Sequence, residues 1–230
     1  MTVADAKGRR LDAATGIGAM VFILVGFLLP GAPPTADDSI RKITNFFLDN
    51  RDEILAGNAL VALGGVLFLW WLGSLRSYLR AGEGGEGRLS AAAFGGGIVG
   101  LTLTVAGAAV FSATVFKVAK VGDPLLNRLL FDLGGDLFAI AGVGFAVLLG
   151  AAACSAARSG ALPPWAYWLG SFAALAQLLG VAAIFASSGF FAGGGAMGFI
   201  AFIASAVWVI AVSVLMMQRD GVPPVVRTEP

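Results

Sequence analysis

Six apolar stretches, separated by short charged or glycine-rich segments, dominate the 230-residue sequence and limit what it can fold into. A helix rises about 1.5 Å per residue, so about 20 residues cross roughly 30 Å of hydrocarbon while satisfying their own backbone hydrogen bonds. The pattern therefore predicts an all-α fold, a polytopic integral membrane bundle of six transmembrane helices. The expected spans cover about residues 13–29, 54–75, 89–116, 136–157 and 165–187, and a sixth follows the glycine turn at 193–195 and ends near residue 217.

Composition supports a membrane protein and excludes several kinds of chemistry. Charged residues make up 13% of the chain, whereas a soluble domain carries about 25%. The net charge of +1 argues against nucleic acid as a partner, because phosphate binding needs a basic patch. The chain has no histidine and a single cysteine, Cys154, which we expect to be a buried, unreactive side chain. These absences predict no metal site, no cofactor and no enzymatic activity.

A charged segment between the first two spans predicts a short amphipathic helix. Residues 35–53 hold much of the charge of the chain, and Asp37 or Asp38 is suited to cap a helix. Three apolar residues then recur at helical spacing on one face, namely Ile40, Ile43 and Phe47. A helix with one apolar face is typical of the membrane interface, so we expect this one to lie there.

A second short amphipathic helix is predicted between the third and fourth spans, after Asp123-Pro124. Counting lysines and arginines gives nine on the side of the N-terminus and six on the other. Positive residues are enriched in cytoplasmic loops, so both termini are expected in the cytoplasm. The chain then divides into a cytoplasmic N-terminal segment, a transmembrane domain and a cytoplasmic tail, at 1–12, 13–217 and 218–230.

Polar residues in or beside the apolar stretches gather near the outer ends of spans two to five. Asp132 and Asp136 are four residues apart and share one helical face. Ionisable groups near hydrocarbon are costly unless they are paired, hydrated or turned inward. Two interpretations of the two aspartates are open. In the first, they face outer water, cap the fourth span or pair with Arg128 and nearby lysines. In the second, they form a mouth that admits a solute, an ion or a lipid head group. The candidate mouth residues are Asn58, Lys117, Lys120, Asp132, Asp136 and Gln177.

Two of these candidates, Asn58 and Gln177, are amides inside apolar runs. An amide in lipid seeks a hydrogen-bond partner on another helix, so packing is the favoured interpretation for both. Glycines four residues apart, which let helix backbones approach closely, occur at Gly96 and Gly100 and again at Gly194 and Gly198. They predict contacts within the chain, with a dimer interface as the alternative.

Several loop and interface motifs resemble those of a known family. They are Leu67-Phe68-Leu69-Trp70-Trp71-Leu72-Gly73-Ser74-Leu75-Arg76, Gly87-Arg88-Leu89-Ser90, Arg158-Ser159-Gly160-Ala161-Leu162-Pro163-Pro164-Trp165 and Trp168-Leu169-Gly170. In their order they resemble uncharacterised six-span membrane proteins common in actinobacteria, close to the domain of unknown function numbered 4386. The resemblance covers most of the chain and implies six spans and a bacterial inner (cytoplasmic) membrane. It brings no activity, cofactor, substrate or functional residue.

These features leave three classes of function, and the missing histidines disfavour one of them, a membrane-embedded enzyme. The other two are non-enzymatic. The first is an accessory subunit that packs on a larger membrane complex, or on itself, through Gly/Ala-rich faces. The second is a carrier or channel for a small solute or lipid. Membrane lipids are expected partners in either case. The sequence favours the subunit, which should have a dry, tightly packed interior, whereas a carrier should have a cavity lined by Asn58, Lys117, Asp136 or Gln177.

Overall fold

The structure is a computed structural model that describes the backbone of residues 3–83, 85–118 and 123–219 and the side chains of residues 10–83, 85–116 and 123–218. Over these ranges it contains seven α-helices, no strand and two short turns, a π turn at Thr114–Val118 and a 3₁₀ turn at Val181–Phe185. The helices are α1 (Val3–Leu28), α2 (Ile40–Asp49), α3 (Arg51–Glu83), α4 (Arg88–Ala113), α5 (Pro124–Ser159), α6 (Pro164–Gly180) and α7 (Ala196–Arg219).

Six of these helices, all except α2, are long and apolar enough to cross a membrane. The predicted all-α membrane bundle is confirmed. Lys120 and most of the predicted C-terminal tail, residues 220–230, lie outside the described residues.

The six spanning helices form a closed ring. Each packs against the next in the chain, and α7 packs against α1 and so completes the circle. Near the chain ends, Gly16 of α1 lies against Ser213 of α7 and Trp71 of α3. We call this end of the ring the terminal end, and the opposite end, where α1 finishes and α7 begins, the distal end.

Glycines allow the closest helix contacts in the ring. A Cβ added to Gly144 of α5 would lie 2.4 Å from the backbone nitrogen of Gly100 in α4, and one added to Gly96 would lie 2.7 Å from the Gly144 carbonyl oxygen. The predicted use of Gly96 and Gly100 in contacts within the chain is thus confirmed. Gly194, which precedes α7, also contacts another segment, since a Cβ there would lie 3.5 Å from the Pro33 side chain. The same prediction is wrong for Gly198, where a Cβ would meet no atom within 4 Å.

The terminal half of the ring is filled by a tight apolar core. Trp71 and Trp208 are fully buried, with their rings perpendicular and their centroids 6.2 Å apart. The Trp208 indole N–H donates to the Ala166 carbonyl at 3.0 Å. Leu72 and Leu75 complete this layer and are buried as well. None of these four side chains lines the cavity described below.

The short helix α2 forms as predicted, but its cap and its surroundings differ from the expectation. Ser39 is the N-cap, since its hydroxyl accepts the Lys42 backbone N–H, while Asp38 instead caps the preceding turn. Ile43 and Phe47 are buried in one cluster with Phe131 of α5. The apolar face of α2 therefore packs on the bundle and is not immersed in lipid.

The second predicted amphipathic helix is not a separate element. Asp123 caps α5 by accepting the backbone N–H groups of Leu125 and Leu126, at 3.0 and 3.2 Å. From Pro124 the helix runs to Ser159 without interruption. Gly134, midway between the two predicted pieces, packs closely under the ring of Phe111, so the glycine serves contact with α4 and does not break the helix.

Candidate functional site

The distal half of the ring encloses a cavity of about 1070 Å³. All six spanning helices contribute to its wall, which is mainly apolar and has Phe68, Phe145 and Leu149 among its deep residues. Typical ligand pockets measure about 300–1,000 Å³, so the space is large enough for a sizeable molecule. Polar side chains also line it, namely Asn58, Thr104, Arg128, Asp132, Asp136, Gln177, Ser187 and Ser205.

The cavity has its mouth at the distal end, between two irregular segments. One is the rim loop, residues 29–39, which joins α1 to α2, and the other is the glycine loop, residues 186–195, which precedes α7. Ala32 in the rim loop is exposed. Phe185, which directly precedes the glycine loop, has 89% of its surface accessible. Because these residues both line the cavity and reach the surface, the cavity opens at this end.

Arg128 fastens the rim loop to α5. Its Nε donates to both carboxylate oxygens of Asp132, at 2.9 and 3.2 Å. Its Nη1 donates to the Asp38 carbonyl at 3.3 Å, and its Nη2 donates to the Ala36 carbonyl. Asp132 is therefore paired, as one of the two interpretations of the sequence predicted, and its pair helps to fix the edge of the mouth.

Asp136 lies one helical turn further along α5 and also lines the cavity. Its side chain is exposed and forms no hydrogen bond or ion pair with the residues that the structure describes. The side chains of Lys117 and Lys120, the other predicted mouth residues, lie outside the described residues. Their pairing with either aspartate stays a prediction.

The two amides join neighbouring helices. Asn58 of α3 donates from Nδ2 to the Ala108 carbonyl and to the Ser112 hydroxyl of α4, at 2.9 and 2.8 Å. Gln177 of α6 donates from Nε2 to the Ala201 carbonyl and to the Ser205 hydroxyl of α7, at 3.2 and 2.9 Å. Their predicted role in packing is confirmed, and in addition both line the cavity.

The sequence interpretation missed much of the site. Arg128 entered only as a possible partner of the aspartates, and neither Ser205 nor the phenylalanine walls were singled out. The spacing of Arg128 four residues before Asp132 was the one available signal for the pair. Cys154 is exposed on α5, so its predicted burial is wrong. Its neighbours Ala153 and Ser155 turn inward instead.

A second, smaller depression of about 540 Å³ lies on the outer side of α2. All of its lining residues fall within 32–49, so it is a crease between the rim loop and one helix. The central cavity, by contrast, draws on every spanning helix. Among the described residues, no three His, Cys, Asp or Glu side chains come together as a metal site would require.

Comparison with known proteins adds no relative: no family model, curated protein or solved structure matches the chain. The resemblance to the six-span actinobacterial family stays a prediction that rests on the motifs quoted above. The candidate function must therefore come from the cavity itself.

Proposed function

We propose that this protein is a non-enzymatic carrier that binds a lipid-like, amphipathic molecule in the cavity of its six-helix ring. The observation that carries the proposal is the cavity of about 1070 Å³, apolar in depth and polar at its distal mouth. A long apolar group would fill the inner part, and the head group would stay at the mouth. A bacterial inner membrane with both termini in the cytoplasm is the proposed setting, and membrane lipids are the proposed source of ligand.

The apolar wall supports this class of ligand over a small polar solute. Each methylene group buried from water contributes about 0.8 kcal/mol, so a chain of several carbons binds favourably to such a surface. An empty cavity, in contrast, deprives its wall of dispersion contacts. Phe27, Phe138 and Phe202 form edge-to-face contacts beside the cavity, with ring centroids 5.3 and 5.4 Å apart. This aromatic surface suits an acyl chain better than it suits an ion.

The shape of the interior supports a carrier over the two other non-enzymatic interpretations. An accessory subunit needs no internal space, yet only the terminal half of this ring is densely packed. A channel needs a path from end to end, and the buried pair Trp71 and Trp208 stands across that path. A cavity that is open at one end and closed at the other corresponds to one state of a carrier.

Photo-crosslinking tests the proposal with a neutral probe, hexadecanol with a diazirine near the end of its chain. The purified protein in lipid nanodiscs would be labelled, and the labelled peptides identified by mass spectrometry. We expect adducts on cavity residues such as Phe145 and Leu149. The variant Gly135→Phe should reduce them severalfold, because Gly135 lines the cavity and a Cβ there would meet no atom within 4 Å.

Gly95→Phe is the matched control. Gly95 is also helical with open space around its missing Cβ, but it does not line the cavity. Labelling of the cavity residues should therefore be unchanged in this variant. Equal labelling in both variants, or adducts confined to lipid-facing residues such as Leu175, would contradict the proposal.

A further inference from the structure

The amide groups that line the cavity have no hydrogen-bond donor left for a ligand. A primary amide carries two N–H donors. Asn58 uses both on Ala108 and Ser112 of α4, and Gln177 uses both on Ala201 and Ser205 of α7. The orientation of each amide is fixed because a carbonyl oxygen can only accept. Their own oxygens, Oδ1 and Oε1, accept no hydrogen bond from the described residues, and Oε1 of Gln177 lies beside Gly142 of α5.

The Arg128 guanidinium and two of the three hydroxyl groups that line the cavity follow the same rule, while the exposed Ser187 hydroxyl donates to no described residue. Thr104 donates to the Gly100 carbonyl at 2.9 Å, and Ser205 donates to the Ala201 carbonyl at 2.7 Å. The guanidinium of Arg128 is bound on three of its nitrogens, and Asp132 neutralises its charge. Arg128 is therefore committed to holding the rim loop and is poorly placed to bind an anion.

Among the described residues, Asp136 supplies the remaining charge at the mouth. Once Arg128 and Asp132 have cancelled, its carboxylate, which pairs with no described residue, gives the described part of the cavity a negative charge. A carboxylate only accepts hydrogen bonds, as the two amide oxygens do. Apart from the Ser187 hydroxyl, the described polar side chains of the mouth and the wall thus offer mainly acceptors to a ligand.

We infer that the cavity takes an amphiphile whose head group is a protonated amine. The inference rests on the proposed function and deepens it, since it names the head group for the same site. An ammonium group offers both a positive charge to Asp136 and N–H donors to the carboxylate and amide oxygens, and charge-assisted hydrogen bonds of this kind are the strong ones. A carboxylate head would be repelled by Asp136, and a trimethylammonium head would bring charge without donors.

Competition against the diazirine hexadecanol measures this preference. Hexadecylamine, hexadecyltrimethylammonium, hexadecanol and hexadecanoate share one chain and differ only in the head group. We expect hexadecylamine to compete at least about tenfold better than hexadecanol, the difference that corresponds to one charge-assisted hydrogen bond. Hexadecanoate should compete least. Phosphatidylethanolamine is tested as a further competitor. If it competes, the natural ligand is a membrane aminolipid, and if only hexadecylamine competes, the natural ligand is a free amine.

Asp136→Asn should abolish the advantage of the amine, measured as the ratio of the two competition constants, and adducts that still fall on Phe145 and Leu149 show that the cavity forms. Glu53→Gln is the matched control, because it removes a carboxylate from an exposed site near the distal end that does not line the cavity. It should leave the amine advantage unchanged. Equal competition by amine and alcohol, with labelling still sensitive to Gly135→Phe, would overturn the head-group inference alone. Labelling insensitive to Gly135→Phe would overturn the proposed function.

Discussion

Asp132 and Asp136 show how two identical side chains one turn apart take different roles. Arg128 lies four residues before Asp132 and binds both of its carboxylate oxygens. No described residue does the same for Asp136, which lines the cavity. The spacing of the two aspartates alone treats them as equivalent. The difference arises because Arg128 is also held by the rim loop, a segment about 90 residues distant in sequence.

Asp38 gives the rim loop a dependence on pH. Its carboxylate accepts hydrogen bonds from the Lys42 side chain and the Thr35 backbone, which lower its pKa below the ordinary 3.8. A lowered pKa means that the folded state favours the charged carboxylate. The stability that charged Asp38 contributes is therefore present above its ordinary pKa and is lost as pH falls through its lowered pKa. We expect the rim loop to loosen in acid. A spin label at Ala32→Cys, in a Cys154→Ser background, should become more mobile as pH falls through the lowered pKa of Asp38.

Asp38→Asn is the control for this experiment, since the asparagine has no charge to lose. The mobility of its label should change less between neutral and acidic pH than that of the label in the parent protein. Circular dichroism should remain helical throughout, which separates loosening of the loop from unfolding. A label that responds to acid equally in both proteins would exclude Asp38 as the cause.

At the scale of elements, the contact between α4 and α5 depends on the absence of side chains. Gly144 lies against Gly100 so closely that a Cβ there would approach the backbone of α4 to 2.4 Å. Backbone atoms cannot rotate away as the end of a side chain can, so the helices themselves would have to separate. The sequence motif at Gly96 and Gly100 identified one side of this contact. Gly144 on the other side was one glycine among 33 and carried no distinguishing signal.

Gly144→Ala should destabilise the protein by about 1–3 kcal/mol, the usual range for overpacking. Gly95→Ala has open space around the new methyl group and should be neutral or stabilising, by up to about 1 kcal/mol, because alanine favours the helix. Unfolding of both variants in mixed micelles, followed by circular dichroism, gives the comparison. Equal stability of the two would mean that α4 and α5 are not in contact at this point.

At the scale of the whole molecule, closure of the ring creates the cavity. The packing of α7 on α1 brings the first and last spans together. The bulky residues Trp71 and Trp208 fill the terminal half, whereas the distal half is hollow and is lined by both phenylalanines and small residues such as Ala201. The polar mouth is then assembled from loops that are far apart in the chain.

Cysteine labelling tests this arrangement in the Cys154→Ser background. Cysteines at Arg10 and Gln218, both exposed at the terminal end, should react with a membrane-impermeant maleimide from the same side of the membrane. A cysteine at Ala32 in the rim loop should react from the other side. The excess of positive residues near the termini predicts that only Ala32→Cys labels in intact cells. Labelling of Arg10→Cys and Gln218→Cys from opposite sides would contradict an even number of crossings.

The sequence by itself determined the six spans, the all-α fold, the amphipathic helix α2 and the need of Asn58 and Gln177 for partners. These features depend on local properties, because transfer into lipid and helical periodicity are decided within one segment. Only the tertiary structure decided that the ring closes, that a cavity remains inside it, that Arg128 pairs with Asp132 and not with Asp136, and that Cys154 faces outward. Each of these depends on which helix faces meet, and that is settled by close packing between segments distant in the chain.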